Sequence, residues 1–485
     1  MPTPTSNAAL YLLYILNAIT IIIIVFFRRK TSVSTLAWIF AVLLLPGLGI
    51  FLYFVIGNGL HFRREKTFGA KRLYDEGYYS YLLNILNLPK ISHQEYIDPA
   101  AQNNEDLLRM NHQYGDSFYS QDNDIDIFTE GNTKMAALFA DIEAAADHIH
   151  LLYYIFRDDN IGHKLRDLLI KKAGQGVQIR LIYDSWGSLK TSKQFFLPLL
   201  RAGAQVHPFF PSLLPYFNMR ANYRNHRKIV VIDGKTGYLG GMNIGDEYLS
   251  LGKIKPWRDT HIRIRGSAVY LLQARFLMDW VYASNAKERP WREEFFPDIS
   301  PPPGVLGMQI VSSGPDNQAT QVRNAFIKII QRAQRSICIQ TPYFVPDETL
   351  LESLKIAAMS GIKITIILPK VYDKYFVWCA GNYYLGQLLD YGVDFYYYPG
   401  FMHAKMIIMD EQIASIGTTN IDIRSFLLGF EINAFVYSQE FAKRCLAIFE
   451  EDLSHSQYIS YQLYQSRPWQ QKLLEPLLRL FSPLL

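Results

Sequence analysis

The chain opens with an uncharged apolar run over residues 8–27, AALYLLYILNAITIIIIVFF, and a second follows over residues 36–57, LAWIFAVLLLPGLGIFLYFVIG. About 20 apolar residues cross a bilayer as a helix. The two runs therefore predict a membrane hairpin. The first has no basic leader and another apolar run follows at once, which argues against a cleaved signal peptide. Pro46, Gly47 and Gly49 interrupt the second run, so it is expected either to span or to re-enter the membrane.

Beyond residue 125 the pattern alternates between short buried strands and amphipathic helices, and it does so twice. HIHLLYYIF (148–156), GHKLRDLLIKKAGQG (162–176) and VQIRLIYD (177–184) read as strand, helix and strand. SICIQTPYF (336–344), DETLLESLKIAAMSG (347–361) and IKITIILP (362–369) repeat that order. Each copy continues with a helical stretch and a short strand, AQVHPFF (204–210) or VDFYYYP (393–399). The expected fold is α/β, two similar halves of mixed sheet flanked by helices behind a two-helix membrane segment. The boundaries are 1–60 for the membrane segments, 61–125 for a basic collar and linker, and 126–286 for the first half. A Pro-rich linker at 287–304 then leads to the second half at 305–485.

Composition narrows the class. A net charge of +5 on 485 residues lacks the basic excess of a nucleic-acid binder. Cys338, Cys379 and Cys445 are too scattered for a disulfide framework or a zinc site. The loop between the apolar runs holds Arg28, Arg29 and Lys30, while Arg63, Arg64, Lys66, Lys71 and Arg72 follow the second. The larger cluster favours a cytoplasmic location for what comes after it.

The sharpest signal is a doubled motif, NHRKIVVIDGKTGYLGGMN over 225–243 and MHAKMIIMDEQIASIGTTN over 402–420. His226, Lys228, Asp233, Gly240 and Asn243 recur at the same offsets as His403, Lys405, Asp410, Gly417 and Asn420. In a strand, His and Lys two apart share a face. The returning segments TGYLGG and IASIG then make each motif a hairpin. A lysine beside each histidine disfavours a divalent metal and suits a phosphate. A neutral imidazole can attack phosphorus and a protonated one can supply a leaving alkoxide with its proton. Displacement needs one of each, so two copies facing one another would form a single site.

The doubled HxKxxxxDxxxxxxGxxN motif resembles that of the phospholipase D superfamily. The paired apolar runs, QIVSSGPD (309–316), WRDTHIRIRG (257–266) and RLFSPLL (479–485) are similar to bacterial cardiolipin synthases within it. That resemblance implies transfer of a phosphatidyl group between two phosphatidylglycerol molecules, giving cardiolipin and glycerol through a phosphohistidine, with no metal or other cofactor. It implies a bacterial plasma-membrane, multi-pass enzyme whose partners are phosphatidylglycerol and membrane lipids and not nucleic acid. His226 becomes the expected nucleophile and His403 the expected acid, an order that the repeat alone does not decide. Lys228, Asn243, Lys405 and Asn420 would hold phosphate oxygens. Asp233 and Asp410, the other catalytic candidates, are expected to be structural partners, and Asp259 and Glu431 to orient the imidazoles. Two apolar stretches near the motifs, 207–224 with Arg220 and Arg224, and 372–389, would guide lipid or simply pack. The alternatives are a phosphodiesterase using water or another alcohol as acceptor, and a membrane scaffold with inactive motifs.

Overall fold

The computed structural model describes residues 4–26, 32–53, 95–115, 117–210, 223–284, 292–316 and 320–482. The basic clusters at 28–30 and 63–72, and most of the 207–224 stretch including Arg220, lie outside the described residues. The first apolar run forms a helix over Pro4–Phe26, and the second forms helices over Ser32–Leu44 and Leu48–Leu52, broken at the expected Pro46-Gly47. These form a unit by themselves. Among the described residues no helix is long and apolar enough to cross a membrane.

The remainder is two similar halves built around one repeated sheet. The first contains β1 (Tyr119–Phe128), β2 (His148–Tyr153), β3 (Gln178–Asp184), β4 (Gln205–Phe209), β5 (Arg224–Asn225), β6 (Ile229–Ile232), β7 (Thr236–Gly240), β8 (Trp257–Arg258) and β9 (His261–Arg265). The second contains β10 (Leu306–Ser313), β11 (Ser336–Gln340), β12 (Phe344–Val345), β13 (Lys363–Pro369), β14 (Asp394–Tyr398), β15 (Phe401–Met402), β16 (Met406–Met409), β17 (Ile413–Gly417), β18 (Ile421–Asp422), β19 (Gly429–Tyr437) and β20 (Gln457–Tyr458). Strand order is β4-β3-β2-β6-β7-β9-β1 in one half and β14-β13-β11-β16-β17-β19-β10 in the other. Antiparallel pairing of β1 with β10 joins the two into one continuous sheet. β8 with β15 and β12 with β18 form separate two-stranded pairs, and β5 is joined to β19. Each half has its own apolar core, and central strands such as β6 and β16 are buried along their whole length. That two-sided burial explains why their sequences run IVVI and MIIM instead of alternating.

The halves reach further than the sequence pattern indicates. β1 begins at Tyr119, inside the segment read as a linker, and the short helices Pro99–Asn103 and Glu105–Gly115 pack on the second half. Leu107 and Leu108 enter that core, and Asp106 pairs with Lys328 and Arg332. The 287–304 linker is likewise packed where it is described: Phe295 is buried against His148 and His150 of β2.

Each motif hairpin turns at its aspartate. Asp233 and Gly234, and Asp410 and Glu411, all have positive φ, the backbone of a type I′ turn. Asp233 accepts from the backbone N–H groups of Ala146, Asp147 and His148 at 2.8–2.9 Å, and Asp410 from those of Gln334, Arg335 and Ser336 at 2.7–2.8 Å. Each carboxylate thus ties the hairpin to the start of the neighbouring strand. Replacing Asp410 with Ala should lower stability by about 2–4 kcal/mol, since three charge-assisted bonds are lost. The expected signature is a lower thermal midpoint with near-normal turnover in the fraction that remains folded.

Candidate active site

Each of the two histidines directly follows a matching short strand, and each strand is paired with the other half. β5 runs parallel to the start of β19, and the His226 N–H donates to the Phe430 carbonyl at 2.9 Å. β15 runs parallel to β8, and the His403 N–H donates to the Arg258 carbonyl at 2.6 Å. In both places the residue after the accepting carbonyl is an acid. Glu431 therefore faces His226, its Oε1 lying 3.2 Å from Nδ1, and Asp259 faces His403, its Oδ2 lying 2.6 Å from Nδ1. The carboxylate that serves each imidazole thus comes from the opposite half. With Nδ1 occupied in both rings, Nε2 is the nitrogen left for a substrate.

His226 and Lys228 lie in the extended link between β5 and β6, not inside a strand as the spacing predicted. Each lysine folds back on its own histidine: Lys228 Nζ donates to the His226 carbonyl at 2.6 Å, and Lys405 Nζ donates to that of His403. An ammonium has three donors, so two remain for an anion. Aromatic rings wall the site. Tyr154 meets His226 edge-on at 4.7 Å, and Trp257 lies 5.2 Å from His403.

Burial and mutual repulsion set the charges. Burial, then Lys228 and Lys405, hold His226 well below the ordinary imidazole value. Burial and Lys405 bring His403 down to about 4, opposed by Asp259. The same burial lowers Lys228 to about 7 and Lys405 to about 8. The two carboxylates differ. Burial pushes Glu431 up to about 7, whereas His403 and Lys405 pull Asp259 below the usual range despite its burial. His403 is therefore backed by a charged carboxylate at close range. His226 has a more distant one whose charged form burial disfavours.

The surroundings reinforce that asymmetry. Glu431 accepts a 2.5 Å bond from the Thr418 hydroxyl. The matching position in the first motif is Gly241, where a Cβ would overlap Asp259 Oδ1. The asparagines differ as well. Asn243 accepts from Ile155 N–H at 3.0 Å and donates to the Tyr248 hydroxyl at 2.6 Å, so both ends of its amide are engaged. Asn420 is buried, and its Oδ1 accepts no hydrogen bond among the described residues. Asp233 and Asp410 take no place among these groups, being held in their turns.

A family model described as "Cardiolipin synthase, PLD-like domain" matches residues 138–274 and 326–453, one copy per half, and a phospholipase D-nuclease N-terminal model matches residues 15–58. The Major cardiolipin synthase ClsA of Bacillus subtilis (strain 168) is 45% identical over 482 residues, 99% of each chain. The chain belongs to the cardiolipin synthase family. Another relative, a cardiolipin synthase of Oceanobacillus iheyensis, is 43% identical over 99% of both chains. A phosphatidylserine synthase of Haemophilus influenzae Rd KW20 shares the fold, with a TM-score of 0.58 at 15% identity over 79% of this chain and 97% of that one.

Within this cardiolipin synthase family member, Arg227 is a site residue that motif reading passed over. Fully buried between His226 and Lys228, it makes two 2.8 Å bonds to Asp279 and donates to the Glu431 and Ser313 carbonyls. It thereby clamps the His226 segment to β19 and β10 of the other half. The one available signal was HRK in the first motif against HAK in the second. The equivalent clamp at the other junction is Arg258, which pairs with Asp452 at 2.7 Å.

Gly241→Ala should displace Asp259 from His403 and reduce kcat about 100-fold, as expected for an ångström-scale misplacement. Thr418→Ala, which removes a methyl and a hydroxyl without a clash, should cost far less. Steady-state kinetics of the two variants compares the two carboxylates directly.

Proposed function

We propose that this phosphatidyltransferase converts two molecules of phosphatidylglycerol into cardiolipin and glycerol, with His226 as nucleophile and His403 as the acid and then the base. The observation that carries the assignment is the unequal pairing of the histidines with their crossed carboxylates. A neutral His226 has its Nε2 lone pair available for phosphorus. A phosphate anion between the two ammoniums would offset their repulsion and raise the imidazole pKa values. His403, backed by ionised Asp259, then gains a proton most readily.

In the first step His226 Nε2 bonds to phosphorus, the bond from phosphorus to the glycerol oxygen breaks, and the His403 proton goes to that oxygen. In the second, His403 takes the proton from a glycerol hydroxyl of another phosphatidylglycerol. The resulting oxygen nucleophile bonds to phosphorus and displaces His226. Lys228 and Lys405 hold the non-bridging oxygens, where charge accumulates in the transition state. Asn420, buried with its Oδ1 accepting no hydrogen bond among the described residues, would join them, and Asn243 acts through Tyr248, whose ring lies 6.0 Å from His403. The apolar N-terminal runs support a membrane enzyme, and the larger Lys/Arg cluster after the second run, Arg63 to Arg72, favours a catalytic part in the cytoplasm. Attachment there would present the second lipid at high local concentration and favour it over water.

Purified protein in mixed micelles containing only phosphatidylglycerol should release cardiolipin and glycerol. Phosphatidic acid as the main product would replace this reading with a hydrolase, and strict dependence on CDP-diacylglycerol or a divalent metal would overturn the mechanism. His403→Asn should accumulate a covalent phosphatidyl adduct, detectable with labelled lipid, that His226→Asn cannot form. Finding the reverse would exchange the two roles.

The lysines predict the alkaline limb of the pH profile. A cation with a lowered pKa carries its charge below that value and loses it above, so kcat/KM should fall as pH rises through about 7–8. Bound phosphate raises the lysine pKa values, so the limb in kcat should lie at higher pH. On the acid side, His226 protonates only well below its ordinary value. The profile is bell-shaped, and a flat rate from pH 5 to 9 contradicts it.

A further inference from the structure

The C-terminal helix Trp469–Arg479 carries an apolar row on its outer face. Trp469, Leu473, Leu477 and the adjoining Leu480 follow one another at helical spacing and are 53–70% exposed. The opposite face is anchored. Leu478 packs against Val345, Val377 and Ala380, and Arg479 donates to the Tyr383 hydroxyl at 3.0 Å. Glu475, the acid of this helix, is turned inward and held by Arg467 and Gln471. The row is therefore outward by construction, not an effect of a loose terminus.

Its neighbour extends the surface. The C-terminal helix lies against the helix Tyr375–Leu389, whose first turn exposes Tyr375 and Phe376. Lys374 and Lys472 are exposed cations of the same pair of segments, while Asp373 is bonded to the Tyr343 hydroxyl at 2.6 Å. The start of this neighbouring helix is tied to Tyr343, through the Asp373 bond and Lys374 lying 5.0 Å from its ring, and its charges reach the active site, Lys374 helping to depress His226 and Asp373 acting on Lys405.

We propose that these two helices form a docking surface for the interfacial zone of an anionic phospholipid bilayer, seating the mouth of the active site on the lipid. This rests on the lipid-substrate reading above. Trp, Tyr, Phe and Leu projecting outward beside lysines match an interface in which acyl chains meet anionic headgroups. A second copy of the chain fits less well. A two-fold contact would set the same patch on both sides and repeat the exposed Lys472 of the C-terminal helix, whose own acid Glu475 is turned inward.

The full-length protein in vesicles of phosphatidylglycerol and phosphatidylcholine provides the test. An environment-sensitive fluorophore on Leu473→Cys should be quenched by lipids brominated on their acyl chains, and one on Glu352→Cys, exposed on another helix, should not. Equal quenching at the two sites overturns the proposal. Cardiolipin formation by the unlabelled protein in the same vesicles reports separately on the lipid-substrate reading, because the fluorescence comparison stands whether or not product appears. Leu473→Ser combined with Leu477→Ser should raise the apparent KM for vesicle phosphatidylglycerol about tenfold, the loss of roughly 1.4 kcal/mol of surface binding. Turnover of a dispersed short-chain phosphatidylglycerol should be unchanged. If instead the KM is unaffected and the double variant turns a detergent-solubilised dimer into a monomer, the face is an interface between copies and the proposal falls.

Discussion

Everything at the candidate active site depends on a crossed contact: the carboxylate that pairs with each histidine belongs to the other half of the chain. Glu431 reaches His226 and Asp259 reaches His403 because β5 pairs with β19 and β15 pairs with β8. Neither half by itself holds an oriented imidazole. The β1–β10 pairing and the packing of residues 99–115 on the second half secure that crossing at a distance from the chemistry.

The near-symmetry of the halves matters less than its departures. A phosphoryl transfer through a covalent intermediate needs two imidazoles with different protonation histories. The motifs themselves are equivalent at their repeated positions. The difference lies in what surrounds them: Asp against Glu, 2.6 Å against 3.2 Å, Gly241 against Thr418, and Arg227 against Ala404. Two buried ammoniums close by hold both rings toward neutrality, and an arriving phosphodiester would release that restraint selectively at the ring with the charged partner.

Much of this organisation was legible in the chain. The repeated strand–helix–strand order, the hairpins that turn at Asp233 and Asp410, and the doubled His-Lys pair all follow from local pattern. Those features depend on residues close in sequence. The reading stopped short where contacts are remote. The polar helix Glu105–Gly115 looked like linker because its apolar residues are few, yet Leu107 and Leu108 complete a core built some 200 residues later. Asn243 and Asn420 occupy equivalent motif positions but differ in partners, a distinction set by the Ile155 N–H and the Tyr248 hydroxyl.

The sequence by itself determined that two equivalent His-Lys clusters exist, that they suit a phosphate, and that each closes a buried hairpin, since periodicity and spacing are local properties. Only the tertiary structure decided which acid serves which histidine, that the Asp233 and Asp410 carboxylates each bind three backbone N–H groups at the start of a neighbouring strand, and that Arg227 clamps the two halves together. Pairings across 144 and 205 residues leave no periodic trace in a chain. They arise when two sheets are joined edge to edge and a strand of each is lent to the other.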